Sequence, residues 1–408
     1  MTAPLGEGAF QLAALVLLVG ACIDVVREKS LPWADVNQNS RWVVWLWFGW
    51  CAVGVASALL QGREPRFSHM SQLTMAWGGL LGYWVIGRLS ARQAEILCLW
   101  FFGGAMLSAG LGVSQFLWGT FPGEDFLRGG RGYMGQLLIP GSEGERAAAG
   151  AFLNRLKLSE ALLLALAAVG AWLSAGVGVR LRWLGWVGLP VFSLVLAMTF
   201  SKAAWLGALA CAAVGFVLIR RLLAPRWVIG ALFAGSTVAL VVAVYAGASL
   251  SNWDELPGVD SWNIRRWIWM HALAVWADHP WFGCGMGTYA QVAPTYFNPD
   301  VFNWVHGSTA HQHYLMTFVE GGVAGGLLWT GLMWKIGRVM CAVWQTSLSP
   351  RAQALRSCAT MLLVGLLVFS CFHSVFYHPA MGLYVWGAVG ALCRLQENVS
   401  LRQPSTSS

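Results

Sequence analysis

The sequence has 408 residues, of which 57% are hydrophobic and only 11% are charged, with a formal net charge of +8. In water-soluble globular domains about a quarter of the residues are charged, so this composition excludes that class of protein. Apolar runs of roughly 20 residues recur along the chain, and each can cross a hydrocarbon layer about 30 Å thick. Because the runs are continuous and do not alternate, they predict an all-α integral membrane protein and exclude a membrane barrel.

In chain order, the apolar runs predict eleven spans, and eleven to twelve transmembrane helices are expected in a single polytopic domain, 1–408. The spans are placed at 9–26, 42–60, 71–88, 95–118, 158–177, 183–200, 203–219, 227–249, 314–334, 357–372 and 377–393. No basic segment precedes the first one, so it is not expected to be a cleaved signal peptide.

Most basic residues fall in short loops that alternate between the spans and therefore share one side. They are Arg27, Lys29, Arg41, Arg88, Arg92, Arg180, Arg182, Arg220, Arg221, Arg226, Lys335, Arg338, Arg351 and Arg356. Such an excess marks cytoplasmic loops, so it orients the helices and does not indicate nucleic-acid binding. Arg63 and Arg66 are exceptions on the other side. The long loops 119–157 and 250–313 then face the periplasm, and the polar segment 396–408 is expected to be a loose cytoplasmic tail.

The loop 250–313 is much longer than a helix–helix connection requires, which is typical of functional or disordered loops. Its seven tryptophans argue against disorder. The stretch WNIRRWIWMHALAVWA, 262–277, repeats apolar residues at helical spacing and predicts a helix on or between the spans. This helix should end at Asp278-His279-Pro280, since proline cannot continue it, and the three glycines of 280–289 predict a tight turn after it.

Two histidines and a glutamate lie at the outer end of the span 314–334. An ionisable group such as Glu320 inside a span indicates a functional site, and a neutral histidine such as His311 or His313 accepts protons near neutral pH. The alternatives are that the histidines only bond loop carbonyls and that Glu320 only bridges helices. A metal site that also uses His306 lacks an acidic or cysteine ligand nearby. The nine cysteines form no CxxC pair.

Arg265 and Arg266 are the only basic residues of the loop 250–313. The planar fork of arginine suits a phosphate or diphosphate, which it can bind bidentately. The alternative is an ion pair with one of the five acidic residues of the same loop. Lys202, between two apolar runs on the same side, can present its ammonium to the same anion or extend it to lipid headgroups. Five residues of the first long loop add positive charge there: Arg128, Arg131, Arg146, Arg155 and Lys157.

Three segments resemble, in order, motifs of the O-antigen ligase and O-antigen polymerase superfamily of membrane glycosyltransferases. They are TFSKAAWLG at 199–207, RRWIWMHALAVWADHPWFGCGMGTY at 265–289 and AHQHYLMTFVEGGVAGG at 310–326. AAAGAFLNRLKLSEALLL at 147–164 is similar to a fourth motif, Gly-x-Phe-x-Asn, less closely. The resemblance covers about 147–390. Lys202 departs from the usual arginine of the family, and Gln312 from its usual asparagine.

This resemblance implies transfer of a glycan from undecaprenyl diphosphate to a lipid A-core sugar, at the periplasmic face of the bacterial inner membrane and without metal or cofactor. His311 aligns with the family histidine and is expected to be the general base, while Arg265 and Lys202 stabilise the diphosphate. The substrate-binding residues are expected to be Arg266, His313, Glu320, Arg146, Asn154 and Arg155.

A ligase is the first interpretation of this resemblance. An O-antigen or exopolysaccharide polymerase is an alternative, although such enzymes often carry a glycine eleven residues after a loop arginine, and the arginines here lack it. A protein O-oligosaccharyltransferase is another alternative. A transporter, the non-enzymatic alternative, would be expected to carry charges near the middle of several spans and broken helices in paired halves.

Overall fold

The computed structural model describes residues 38–65, 71–120, 146–152, 154–220, 224–248, 261–296, 309–373 and 379–400. Over these residues, eleven helices have at least 18 residues and are labelled here in chain order. They are α1 (Gln38–Leu60), α2 (Ser71–Arg88), α3 (Ala91–Trp118), α4 (Arg155–Ser174), α5 (Val179–Met198), α6 (Lys202–Ile219), α7 (Pro225–Ala248), α8 (Ser261–Asp278), α9 (His313–Trp344), α10 (Pro350–Phe369) and α11 (Pro379–Ser400). Three shorter helical turns are Gly150–Phe152, Tyr289–Val292 and Ala293–Thr295.

Eight of the described helices are long and apolar enough to cross a membrane, namely α1, α3, α4, α5, α6, α7, α9 and α10. The prediction of an all-α, multi-pass membrane protein is therefore confirmed. Helices α2 and α11 also occur where spans were predicted, and the predicted span 9–26 lies outside the described residues. The loop helix predicted at 262–277 is observed as α8, and it ends at Asp278 as expected.

Several helices extend past the apolar runs that predicted them. Helix α9 continues ten residues beyond 334, to Trp344, and α10 begins at Pro350, seven residues before 357. Helix α11 reaches Ser400, inside the segment 396–408 for which a loose tail was expected; the residues after 400 lie outside the described part. The predicted ends stopped at the first charged or polar residues, but long charged side chains reach water from a helix that continues beyond the hydrocarbon.

Helices α2 and α11 run parallel and their backbones are in contact. A Cβ atom at Gly78 would lie 2.6 Å from the carbonyl oxygen of Leu383, and one at Gly82 would lie 2.2 Å from that of Gly387. Small residues allow such close approach between membrane helices, which gain packing and not hydrophobic burial by associating. The glycines therefore fix the register of this pair.

The two ends of the bundle differ in their residues. We call the end at which α9 begins the site end, and the opposite end, which carries Lys335 and Arg356, the basic end. At the site end, α9 begins and the His313 N–H donates to the carbonyl of Ser370, just after α10, at 3.0 Å. At the basic end, Lys335 of α9 lies 5.5 Å from the ring centre of Trp42 at the start of α1. Arg356 donates there to the carbonyl of Val343 at 3.3 Å. The candidate residues that the structure describes are found at or near the site end; Arg128, Arg131 and His306 lie outside the described residues.

Candidate active site

Arg265 lies on α8 at the site end, where three neutral acceptors hold its guanidinium. Its Nη1 donates to the carbonyl of His311 at 3.3 Å and to the carbonyl of Phe372. Its Nη2 lies 3.4 Å from Nε2 of His373. Over the described residues no carboxylate pairs with this arginine. The helix α8, the start of α9 and the end of α10 therefore meet at an arginine that only neutral groups of the described residues contact.

Burial and a second arginine act on the charge of Arg265. Burial, and to a smaller extent the positive charge of Arg155, together lower the pKa of Arg265 to about 10. The guanidinium thus remains protonated at neutral pH although its surroundings disfavour a cation. An anionic ligand at this position would relieve both the desolvation and the repulsion.

His311 lies immediately before α9, with a half-buried side chain. Its φ of 50° is in the left-handed region, which residues other than glycine seldom occupy. Strain of this kind is retained where surrounding contacts enforce it and concentrates at functional sites. The conformation aims the His311 carbonyl at Arg265, and the imidazole centre lies 6.2 Å from that of His373.

Arg155 is held in a similar way at the start of α4. Its Nη1 donates to the carbonyl of Phe200 at 3.4 Å, and Phe200 is the other non-glycine residue with positive φ, 51°, among those described. Phe200 lies between α5 and α6, two residues before Lys202. Two arginines are thus bound by carbonyls of left-handed residues at one end of the bundle.

Lys202 and Arg266 remain near the surface of this region. Lys202 is exposed as the first residue of α6, while Arg266 is half-buried on α8 next to Arg265. Both positions are compatible with contact to an anion that approaches from the site end. The groups that accept hydrogen bonds from Arg265 belong to other residues, namely His311, Phe372 and His373.

Arg146 and Asn154 are placed at the ends of helices. Arg146 donates to the carbonyl of Gly119, the residue that ends α3. Asn154 is the N-cap of α4, where its side-chain oxygen accepts from the N–H groups of Leu156 and Lys157 at 2.9 and 3.4 Å. Both side chains thus bind backbone groups at helix ends. Asn154 acts as an N-cap, the role that asparagine commonly has at this position.

His313 is fully buried and lies inside the first turn of α9. Its ring packs edge-on against Trp329 with ring centres 4.8 Å apart. The neighbouring Gln312 caps the helix, because its side-chain oxygen accepts from the N–H of Leu315. The glutamine that departs from the family asparagine thus serves as an N-cap, and His313 is a core residue beside the site.

Glu320 is buried in α9 and binds the turn that follows α8. Residues 280–288 form this turn, called the glycine turn, in which Gly283, Gly285 and Gly287 have φ of 72°, 101° and 73°. A carboxylate oxygen of Glu320 accepts from the N–H of Gly287 at 3.0 Å. The tight turn predicted from the glycines is present, and Glu320 helps to hold it.

The glycine turn occupies a break in α9. Gly322 has non-helical φ and ψ, and the carbonyls of Val319 and Glu320 accept from the N–H groups of Cys284 and Gly285 at 2.8 and 3.0 Å. The N–H groups released beyond the break, those of Val323 and Ala324, donate to the carbonyls of Pro280 and Trp281. Backbone groups that a broken helix leaves inside a membrane protein need such partners.

Helix α1 holds the other side of the glycine turn. Ser57 and Gln61 both donate to the carbonyl of Gly283 at 2.9 Å, and Arg63 donates to that of Cys284 at 2.8 Å. Arg63, one of the two exceptions to the basic-loop pattern, is therefore used to anchor this turn. The turn links α8, which carries Arg265, to α9, which follows His311.

His373 is the site residue that the sequence analysis missed. It is buried just after α10, and its ring stacks on Phe369 with centres 4.9 Å apart. Its place after the predicted span 357–372 puts it, by alternation of the helices, on the same side as His311. An ionisable residue at that depth indicates a functional site.

An apolar cavity of about 270 Å³ lies between α7, α9, α10 and α11. Near the site end its wall includes Ser236 and Tyr314, whose hydroxyls are hydrogen-bonded at 3.0 Å. Toward the basic end it includes Met340 and Val389. Over the described residues, no group of three or more histidine, cysteine, aspartate or glutamate side chains could hold a metal ion.

Residues 187–330 match the family model described as O-antigen ligase. Over this part of the chain the sequence is similar to the O-antigen ligase family. This match confirms the resemblance drawn from the motifs, and it contains Lys202, Arg265, His311 and Glu320. A comparison with curated proteins gave no match. The site described above combines a histidine, a partly buried arginine that has no carboxylate partner among the described residues, and further cations at one end of a membrane bundle.

Proposed function

We propose that this membrane glycosyltransferase moves a glycan from undecaprenyl diphosphate to a sugar of the lipid A core. The observation that carries the proposal is the convergence of His311 and Arg265, in which Nη1 of Arg265 donates to the backbone carbonyl of His311 at 3.3 Å. A proton acceptor, here the imidazole of His311, and a cation that can face the diphosphate are the two groups that this reaction needs. The O-antigen ligase match over residues 187–330 supports the same class of reaction.

The first requirement is stabilisation of the leaving group. When the bond from the anomeric carbon to the phosphate oxygen breaks, the electron pair remains on the diphosphate, whose negative charge grows. Arg265 is fixed before the donor arrives, so its charge acts without reorganisation. Arg155, Arg266 and the exposed Lys202 would add positive charge around the same anion.

The second requirement is a base for the acceptor hydroxyl. The hydroxyl oxygen forms the new bond to the anomeric carbon, and its proton passes to the neutral imidazole of His311. Direct attack of this kind inverts the configuration at that carbon. Protonated His311 then returns the proton to solvent or to the released diphosphate.

The apolar cavity supports a lipid-linked donor. One end of the cavity is lined by Tyr314, which follows His311 by three residues in the sequence. The cavity continues between the helices toward the basic end. An isoprenoid chain placed there would leave its diphosphate near Arg265. The cavity is lined mainly by aliphatic and aromatic side chains, as binding of hydrocarbon requires.

The distribution of basic residues supports a periplasmic site. Arg41, Lys335, Arg338 and Arg356 lie toward the basic end, away from His311. An excess of lysine and arginine marks cytoplasmic loops. The site end would then face the periplasm of a bacterial inner membrane, where lipid-linked glycans and lipid A core are both accessible.

A transporter is less well supported. Helix α9 is broken at Gly322, but the backbone of the glycine turn fills the break and satisfies its carbonyl and N–H groups. The broken helices of transporters instead expose such groups to a substrate path. The break in α9 therefore supports a packing role.

The test is a transfer assay with purified protein, an undecaprenyl-diphosphate glycan and lipid A core, followed by gel shift of the core. His311→Ala should lower the rate by about 10²- to 10⁴-fold, because the general base is lost. Arg338→Ala, an exposed change at the basic end, is the control and should transfer normally. Full transfer by the His311 variant would contradict the assigned role of the imidazole.

The acceptor is tested in the same assay. Lengthening of the lipid-linked glycan without core would identify a polymerase, and transfer to a serine- or threonine-containing peptide would identify a protein glycosyltransferase. Absence of any new glycosidic bond with all three acceptors would exclude the proposed enzyme.

A further inference from the structure

His373, which follows α10, contacts the guanidinium of Arg265 on α8. Its Nε2 lies 3.4 Å from Nη2 of the guanidinium, and its ring is fixed by stacking on Phe369 at an interplanar angle of 17°. Only 7% of its surface is exposed. The imidazole is therefore held in one orientation, with Nε2 directed toward the arginine.

The chemistry of this contact determines the protonation state of His373. A guanidinium has five N–H donors and no acceptor, so the partner atom must supply a lone pair. Nε2 of His373 must then be unprotonated, with the ring proton on Nδ1. A second proton on the ring would remove the lone pair and place two cations in contact.

The contacts leave part of the guanidinium for a ligand. The carbonyls of His311 and Phe372 use two of the five donors, and His373 uses a third. Because all three acceptors are neutral, they orient Arg265 without reducing its net charge. A carboxylate in place of the imidazole would have neutralised it.

We propose that His373 is a positioning residue that aims Arg265 at the donor diphosphate by accepting a hydrogen bond as a neutral imidazole. This inference rests on the proposed function. His373 does not act as the base for the acceptor, because a second histidine, His311, lies closer to the surface and His373 is buried behind the arginine.

Protonation of His373 would make the site sensitive to acid, in addition to protonation of the general base His311. Among the described residues, the charged or titratable groups that face His373 are Arg265 from α8, His311 before α9 and, beyond Arg265, Arg155 from α4. Both arginines are cations, so protonation of His373 is opposed and would displace Arg265. Activity should therefore fall at low pH through two protonations, one at His311 and one at His373.

The experiment compares His373→Gln, which retains an acceptor oxygen near the position of Nε2, with His373→Ala, which removes it. The ratio kcat/KM for the lipid-diphosphate donor should fall by about 10- to 100-fold in the alanine variant, as expected when a reacting group is misplaced. The glutamine variant should stay within a few-fold of wild type. Its acid limb should correspond to one protonation instead of two.

A matched control is His271→Gln on α8. His271 is also buried, but its Nδ1 contacts the carbonyl of Trp267 in its own helix at 2.8 Å. This variant should keep both the donor kcat/KM and the two-proton acid limb. Thermal unfolding of each variant in detergent shows whether a loss of activity is due to unfolding or to misplacement of the Arg265 guanidinium.

The outcomes separate the two proposals. If wild type transfers glycan but His373→Ala does so equally well, or if glutamine fails to restore what alanine loses, the role of His373 is wrong and the proposed function stands. An acid limb that is unchanged in the glutamine variant also overturns this role. If wild type transfers nothing and does not bind undecaprenyl diphosphate, both proposals fall together.

Discussion

Arg265 at the site end and Arg394 at the basic end are both arginines buried in part between helices, yet their partners differ. Arg394 of α11 lies 3.5 Å from the carboxylate of Glu397 and donates to the hydroxyl of Tyr83 at 3.2 Å. Arg265 contacts two carbonyls and an imidazole, and over the described residues it has no carboxylate partner. Neutral acceptors orient an arginine, whereas a carboxylate also cancels its charge.

The difference indicates separate roles for the two arginines. Arg394, Glu397 and Tyr83 join α2 to α11 and form a closed polar group, which needs no further ligand. Arg265 keeps a positive charge that burial and Arg155 disfavour and that no carboxylate of the described residues pairs with, which fits the anion-binding role proposed for it. A charged group that is kept in surroundings that disfavour its charge is typical of a functional site.

The strongest way to break this comparison is to remove the charge at each end. Arg265→Gln should lower glycan transfer by about 10²- to 10³-fold, because a preorganised cation opposite the leaving diphosphate is lost. The stability of the protein should change little or rise, since a buried cation without a counter-ion is replaced by a neutral group. Both are measured on the same preparation, as initial rate and as thermal unfolding in detergent.

Arg394→Gln is the matched variant at the basic end. It should transfer at the wild-type rate within about 2-fold but unfold at a lower temperature, because it removes the cation that lies 3.5 Å from the buried carboxylate of Glu397. Equal loss of transfer in both variants would show that the two arginines are not functionally different.

The sequence alone was sufficient for the parts of this comparison that depend on pattern. Continuous apolar runs predicted the helical membrane fold, and helical spacing predicted α8 with Arg265 on it. The position of His311 before a span, on the same side as that loop, predicted that the two would converge. Each of these follows from local composition and from alternation of the helices.

The acceptors of Arg265 could not be read from the sequence. Backbone carbonyls have no sequence signature, and nothing in the residue type indicates a positive φ at His311 or Phe200. The contact of Glu320 with Gly287, 33 residues earlier in the chain, likewise becomes evident only when the glycine turn enters the break in α9. Long-range backbone pairing of this kind depends on the tertiary structure.

A second prediction tests whether the glycine turn keeps the site end rigid. Gly285→Ala places a Cβ 2.6 Å from the Cα of Ala58 at a φ of 101°, so both strain and overlap with α1 result. Gly62→Ala, at a φ of 66°, has no atom within 4 Å of the new Cβ and reports strain alone. We expect a loss of about 3 kcal/mol or more for Gly285 and about 1 kcal/mol for Gly62. Equal unfolding temperatures would show that the contact between the turn and α1 contributes nothing.

The smallest expected effect concerns Arg63, which resembles Arg265 in being held by a carbonyl and a histidine. Its Nη2 lies 3.2 Å from Nε2 of His279, and partial burial, followed by the charge of Arg63, lowers the pKa of His279 although Asp278 opposes this. A histidine with a lowered folded-state pKa stabilises the fold above its ordinary pKa, about 6.5, and this contribution is lost as the pH falls. The unfolding temperature should therefore drop between pH 7.5 and 5.5, and His279→Gln should reduce that drop by on the order of 1 °C, since water screens a pair this exposed. An identical pH dependence in the variant would mean that the arginine–histidine contact at the glycine turn does not respond to protonation, and that acid sensitivity belongs to the buried pair at Arg265.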